Sequence, residues 1–176
     1  MITFRPLTLD DLSLIYEWFQ KPHVKQWYCR GETYSYDRIY EKYAPRINDA
    51  KHIPNFIVMA GDKPNTQMCI GYFQYYFCDY SLPDEMTLED PLFQTYVPKE
   101  VIGFDMFIGE EEYLRKGYGQ KMIQYFLEAT FNVGKVYVVD PDYRNVAMIK
   151  LLEKCSFQTY KKIEHTQLMI RYTENQ

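Results

Sequence analysis

The spacing of apolar positions changes period several times along the chain, and each change predicts an element. Ile2–Arg5 reads as a short strand. Thr8-Leu-Asp-Asp11 is a helix start, with Thr8 as a cap and two acids in the first turn; Leu12, Ile15, Tyr16 and Phe19 then recur at helical spacing. Pro22 ends that helix, and His23–Gly31, which has no clear period, is expected to form a loop beside the core. A second helix is expected over Tyr36–Ile47. Phe56–Ala60 and Met68–Phe77 are β-rich runs joined through Gly61-Asp-Lys-Pro-Asn65, a hairpin-like connection. Val101–Ile108 is a further strand. Gln120–Phe131 carries Met122, Ile123, Phe126 and Leu127 as one helical stripe, Lys135–Val139 is a short strand, and Asn145–Lys154 is a helix. Strands near Phe157–Lys161 and Leu168–Tyr172 close the chain. This order predicts an α/β (α+β) fold, a mixed sheet with helices in a single domain over residues 1–176.

Composition narrows the class. A chain of 176 residues buries roughly two-thirds of its unfolded surface, and 47% hydrophobic content supplies a packed core. No apolar stretch approaches a bilayer's thickness, and the start, Met-Ile-Thr-Phe-Arg-Pro, lacks the layout of a signal peptide; a cytoplasmic location is the expectation. Cys29, Cys69, Cys78 and Cys155 have neither metal-ligand nor disulfide spacing and read as reduced thiols. His23, His52 and His165 lie far apart, so no metal is assigned. A net charge of −4 argues against nucleic acid as the main partner. Its distribution says more: no Lys or Arg falls between Lys63 and Lys99, yet Asp79, Asp84, Glu85, Glu89 and Asp90 do. Tyrosines and phenylalanines interleave with these acids. The segment suits a cationic, partly apolar ligand, or it is a solvated surface loop.

The chemistry concentrates in Val101–Met122. An apolar strand bearing one carboxylate, Asp105, crosses an acidic turn into Arg115-Lys-Gly-Tyr-Gly-Gln120, directly ahead of a helical segment. A strand, a glycine loop and a helix N-terminus form a diphosphate cradle, because main-chain N–H groups point outward and the helix dipole favours an anion. A carboxylate on the strand leading into such a cradle suggests group transfer. Asp105, inside an otherwise apolar strand, needs a partner, or else it caps a strand end. Asp140 follows a short strand, where α/β sheets place their ligand crevices, or it is a turn cap ahead of Pro141.

With these residues in view, the chain resembles the GNAT superfamily of acetyl-CoA-dependent N-acyltransferases. Arg115-Lys116-Gly117-Tyr118-Gly119 after a strand is similar to the family's signature, as is Asp140-Pro141…Asn145…Ala147…Leu152-Glu153-Lys154-Cys155-Ser156-Phe157. The likeness is greatest to aminoglycoside 6′-N-acetyltransferases, on Tyr16-Glu17-Trp18, Trp27-Tyr28, Ile70-Gly71-Tyr72 and Gly103-Phe104-Asp105…Phe107-Ile108-Gly109-Glu110. The resemblance implies a mainly antiparallel sheet splayed at its central strands, acetyl-CoA as co-substrate, and transfer of acetyl to an amine in a ternary complex. It implies that backbone groups of Phe107 and Ile108 pair with the pantetheine arm. The amides of Arg115, Lys116, Gly117, Tyr118, Gly119 and Gln120 would hold the pyrophosphate, and Asn145 would contact the pantetheine. Asp105 would orient the substrate ammonium and accept its proton, directly or through water, or serve mainly as an anchor; an ordinary aspartate, near pKa ~3.9, is a weak base for an amine.

On the acceptor side, Trp27 and Tyr28 would offer aromatic faces to an aminosugar or pack a lid, and Asp140, Glu100 and the acids of 79–90 would meet its ammonium groups. Three positions depart from the family. Leu114 stands where Gln or Arg is usual, Ser156 replaces the usual glycine, and Leu152 replaces the tyrosine often proposed to protonate the leaving thiolate, which leaves the general acid open. The readings are therefore an aminoglycoside-type N-acetyltransferase, an N-acyltransferase for hydroxylysine or related siderophore amines, or a non-catalytic acyl-CoA-binding domain. The expected partners are a cationic small-molecule amine, without nucleic acid or membrane, and the protein a monomer or homodimer.

Overall fold

A computed structural model describes residues 1–63, 66–130 and 133–173. Seven strands form one sheet in the order β1-β2-β3-β4-β5-β7-β6. These are β1 (Ile2–Pro6), β2 (Asn55–Ala60), β3 (Met68–Phe77), β4 (Val101–Ile108), β5 (Val136–Val139), β6 (Gln158–Ile163) and β7 (Thr166–Tyr172). Pairing is antiparallel for β1–β2, β2–β3, β5–β7 and β6–β7. β4 and β5 run parallel, with Val101, Ile102 and Gly103 opposite Val136, Tyr137 and Val138. β4 continues to Ile108 whereas β5 ends at Val139, so the described pairing of these two central strands covers only the start of β4. No described helix is long and apolar enough to cross a membrane.

The chain resolves into two compact units, one of Met1–Gln74 with Met106–Met122 and one of Tyr75–Asp105 with Ile123–Gln176. In the first, α1 (Leu12–Gln20) buries Leu12, Ile15, Trp18 and Phe19 at 1% exposure or less; Leu12, Ile15 and Phe19 are on the face that the sequence spacing predicts, while Trp18 joins them and the expected Tyr16 is only half-buried. Its entry is fixed by Asp11, whose carboxylate accepts from the Thr8 amide and hydroxyl (2.8 Å each) and pairs with Arg5 at 2.8 Å. The first turn, Leu9–Asp11, is 3-10 helix. α3 (Tyr36–Asn48) buries Ile39, Tyr43 and Ala44, and Ser35 caps it by accepting from Arg38 N.

The expectation of a loop over His23–Gly31 is corrected: Pro22–Trp27 is a helix, α2. Pro22 both follows the end of α1 and opens α2 at its first position, where a missing N–H costs nothing. With one buried residue, Val24, in six, this helix leaves no periodic trace. Arg30 and Gly31, both left-handed, close it. Of the predicted hairpin connection, Pro64 and Asn65 lie outside the described residues.

In the second unit, Val101, Val136, Val138, Leu168 and Ile170 form a buried cluster with Leu92 of α4 (Leu92–Thr95), a short helix that the sequence reading did not anticipate. α5 (Tyr118–Thr130) belongs to both units and matches the predicted helix, whose expected last residue, Phe131, is not among those described. α6 (Val146–Lys154) is capped by Asn145. All four cysteines are free thiols, three of them buried.

Candidate active site

In the first unit, β4 leads into the glycine bend. Phe107 is buried among aromatic rings, stacked on Tyr72 (centroids 5.4 Å) and edge-on to Tyr28 (4.7 Å), Trp18 and Phe19 (5.8 Å each). Tyr28 is accordingly a core-packing residue, with its hydroxyl 3.4 Å from that of Tyr43. Trp27, at the end of α2, is half-buried. The Ile108 carbonyl accepts from His23 Nε2 at 2.8 Å.

Beyond a 3-10 turn at Glu111–Tyr113, the chain turns sharply into α5. Arg115 (φ 56°) and Gly117 (φ 81°) are left-handed, and Arg115, Lys116 and Gly117 are all exposed. A Cβ built on Gly117 would meet nothing within 4 Å, so the bend is open on that side. Lys121 N donates to Gly117 O (3.2 Å), the first bond of the helix; the amides of Tyr118, Gly119 and Gln120 precede it and have no carbonyl within the helix to reach. Open backbone, N–H groups at a helix start and two exposed cations fit a diphosphate. The half-buried Leu114 ahead of them brings no charge.

The second unit gathers carboxylates. Gly103 and Asp105 share one face of β4, and the buried Tyr76 lies over Gly103 so closely that a Cβ there would stand 2.4 Å from its ring. Asp140, just past β5, accepts from the Asp84 amide at 2.7 Å. Desolvation, then repulsion from Asp105, pushes the Asp140 carboxyl up to about 7, and the same two causes hold the Tyr76 phenol well above its ordinary value. Asp105, Asp140 and Tyr76 therefore form one electrostatically linked cluster. Tyr76 and the Asp84 amide escaped the sequence reading. The signal was Gly103, since glycine inside a strand marks close approach by a neighbour.

Other expected residues serve the fold. Glu100 forms an ion pair with Lys135, whose hydrogen bond lowers the carboxyl's pKa. Asp90, within the acidic segment, is buried and bound by Lys161, Tyr160 and Leu92 N; it does not line an acceptor surface, because a buried carboxylate needs these partners. Asp79, Asp84, Glu85 and Glu89 are exposed. Asn145 Oδ1 accepts from Met148 N (3.1 Å) as the cap of α6. Leu152 is fully buried and has no proton to give. Glu110 accepts from Trp18 Nε1 (2.7 Å) and Lys21 Nζ (2.6 Å), an anchor that no sequence period reveals. Among the described residues no group of three or more His, Cys, Asp or Glu is arranged to hold a metal ion.

The family model described as acetyltransferase (GNAT) domain matches residues 8–165. An aminoglycoside N(6′)-acetyltransferase type 1 from Klebsiella pneumoniae is 26% identical over 160 residues, which span 89% of this chain and 74% of the relative. The crystal structure of aminoglycoside acetyltransferase AAC(6′)-Ib in complex with coenzyme A and kanamycin superimposes with a TM-score of 0.78 at 25% identity, covering 98% of this chain and 95% of that one. A spermidine N-acetyltransferase from Vibrio cholerae, solved with CoA and spermine, shares the fold at a TM-score of 0.70, with 18% identity and coverage of 98% and 95% of the two chains in turn. The strand order, the open bend at the head of α5 and the match over nearly the whole chain agree: this protein belongs to the GNAT acetyltransferase family.

Proposed function

We propose that residues 1–176 act as one acetyl-CoA-dependent N-acetyltransferase domain whose acceptor is a cationic amine, foremost the 6′-amine of an aminoglycoside. Acetyl-CoA supplies an activated acyl group as a thioester. The amides of Arg115 to Gln120 bind its pyrophosphate, the Arg115 and Lys116 side chains add positive charge, and the backbone of Phe107 and Ile108 pairs with the pantetheine arm. Asn145 keeps its side-chain N–H donors for the same arm, since its Oδ1 caps α6.

The observation that carries the acceptor half is the Asp105–Asp140 pair. Two carboxylates in mutual repulsion, one already raised toward neutrality, are relieved by an ammonium ion between them. As the ammonium docks, Asp140 releases its proton to solvent, and Asp105 orients the nitrogen and takes one proton from it, directly or through water; the amine then attacks the thioester carbonyl, the C–S bond breaks, and coenzyme A leaves as the thiolate. Exposed Asp79, Asp84, Glu85 and Glu89 hold further ammonium groups, each contact adding a modest increment, and Trp27 offers an aromatic face to a sugar ring. Kanamycin bound to the related acetyltransferase, and the resemblance of the Gly103-Phe-Asp105 strand, support aminoglycosides over a zwitterionic amino acid. A cytoplasmic location suits this use of acetyl-CoA.

Incubating the purified protein with acetyl-CoA and kanamycin, spermidine or hydroxylysine, with thiol release as the readout, tests this. Release with kanamycin, and a 6′-acetyl product by NMR, is the expected result. CoA binding with no thiol release for any of the three amines would overturn the enzymatic reading for these acceptors; release with hydroxylysine alone would move the acceptor to the siderophore class.

A further inference from the structure

The exit of β4 is pinned by the segment from α1 into α2. The Trp18 indole covers Gly109 so closely that a Cβ there would lie 2.3 Å from the ring, and Trp18 and Lys21 both donate to the Glu110 carboxylate. Gly109 N and Glu110 N donate to Ile70 O at 2.8 and 3.2 Å. The remaining group is the Ile108 carbonyl, which lies 2.8 Å from His23 Nε2. A carbonyl oxygen only accepts, so Nε2 carries the proton in this contact. His23 Nδ1 faces Glu111 Oε1 at 3.7 Å.

Ile108 C=O and Gly109 N–H belong to one peptide plane. That plane is held at one edge by Ile70 O and at the other by His23. Glycine on its C-terminal side gives the plane freedom to rotate that a side chain would remove, so the two hydrogen bonds set its orientation. Phe107 is packed among the surrounding rings, and the adjoining plane carries these two hydrogen bonds.

We propose that His23 is a positioning residue for the acyl donor: its Nε2–H fixes the Ile108–Gly109 peptide plane and with it the direction of the neighbouring Ile108 N–H, the group of this residue left to pair with the pantetheine arm. The inference rests on the donor reading given above and extends it to a residue on another element, one that touches neither the thioester nor the amine.

Calorimetry with coenzyme A and steady-state kinetics test it on four proteins: wild type, His23→Phe, His23→Gln and His23→Asn. His23→Phe keeps the ring's bulk without the donor. Its CoA affinity and acetyl-CoA KM are expected to worsen about three- to tenfold, the worth of one hydrogen bond. The acceptor KM and kcat should move less than about twofold, as loss of ground-state donor binding requires. His23→Gln places an amide where Nε2 stood and is expected to recover most of the affinity; His23→Asn places it nearer Nδ1 and is not. Should His23→Phe fail to fold, the Gln and Asn variants carry the test between them. Equal CoA affinity in wild type and His23→Phe, equal affinity in the Gln and Asn variants, or a parallel fall of every constant would overturn the role. Wild-type protein that gives no heat with coenzyme A would instead overturn the donor reading itself.

Discussion

At the level of residues, the proposed function gives Asp105 and Asp140 separate tasks within one electrostatically linked pair. Asp105→Asn keeps the shape of the side chain but not its capacity to take a proton. Turnover is expected to fall roughly 10²–10⁴-fold, with the fold intact by circular dichroism. Asp140 predicts a pH dependence. Its carboxyl titrates near 7 instead of 3.8, so below that pH the pair holds a proton and attracts an ammonium less well. The acceptor's kcat/KM is expected to fall as pH drops through about 7, and Asp140→Asn should abolish that inflection. Stability runs the other way. A carboxyl whose folded value is raised favours the folded state fully below its unfolded value and loses that contribution as pH rises through about 7. The thermal midpoint of Asp140→Asn should therefore vary less between pH 4 and 8 than that of wild type, and identical profiles would dismiss the assignment.

At the scale of elements, two glycines expose different constraints. A Cβ on Gly71 of β3 would stand 2.3 Å from the Phe107 carbonyl oxygen and 3.1 Å from Ile108 Cα, both backbone atoms of β4. Gly71→Ala must push strand from strand and is expected to cost about 1–3 kcal/mol in urea unfolding, with weakened CoA binding as β4 shifts. At Gly117, by contrast, added bulk meets nothing, and the cost is that of left-handed backbone alone, on the order of 1 kcal/mol. If both substitutions cost the same, the close approach at Gly71 is not what constrains the strands. Elements were legible where they were long and amphipathic: α1, α3, α5 and α6 each bury one face, and β4 was recovered from Val101 to Ile108. The two helices missed are the short ones, α2 with six residues and α4 with four. A segment of that length turns too few times to show a period, and tertiary packing of Val24 or Leu92 decides its conformation instead.

At the scale of the molecule, charge is the remaining lever. A net charge of −4 and a stretch free of Lys and Arg between Lys63 and Lys99 give the protein a negative field, which the proposed function assigns to the acceptor side. Raising ionic strength from about 0.01 M to about 1 M shortens the screening length from roughly 30 Å to roughly 3 Å. The kcat/KM for a polycationic acceptor should fall steeply over that range while kcat changes little; a flat response would mean that long-range attraction plays no part. The acidic segment itself is not uniform. Asp90 is held by Lys161 inside the fold and Glu100 by Lys135, and the exposed Asp79, Asp84, Glu85 and Glu89 ahead of them are left to carry the field.

The alternation of strands and longer helices, the glycine bend ahead of α5 and the lone acid of β4 are legible in the chain alone, because each is written in neighbouring residues and follows from backbone sterics and period. Relations between distant positions came from the fold alone: Asp140 raised by burial and then by Asp105, Tyr76 laid over Gly103, and Trp18, Lys21 and His23 gathered at the end of β4. Tyr28 packs edge-on to Phe107, in keeping with the packing alternative of its sequence reading, and Asp90, read with the acidic segment, is held by Lys161 inside the fold. A side chain's environment is set by whatever the fold brings beside it, and electrostatic and packing energies depend on distance in space, which the order of residues does not encode.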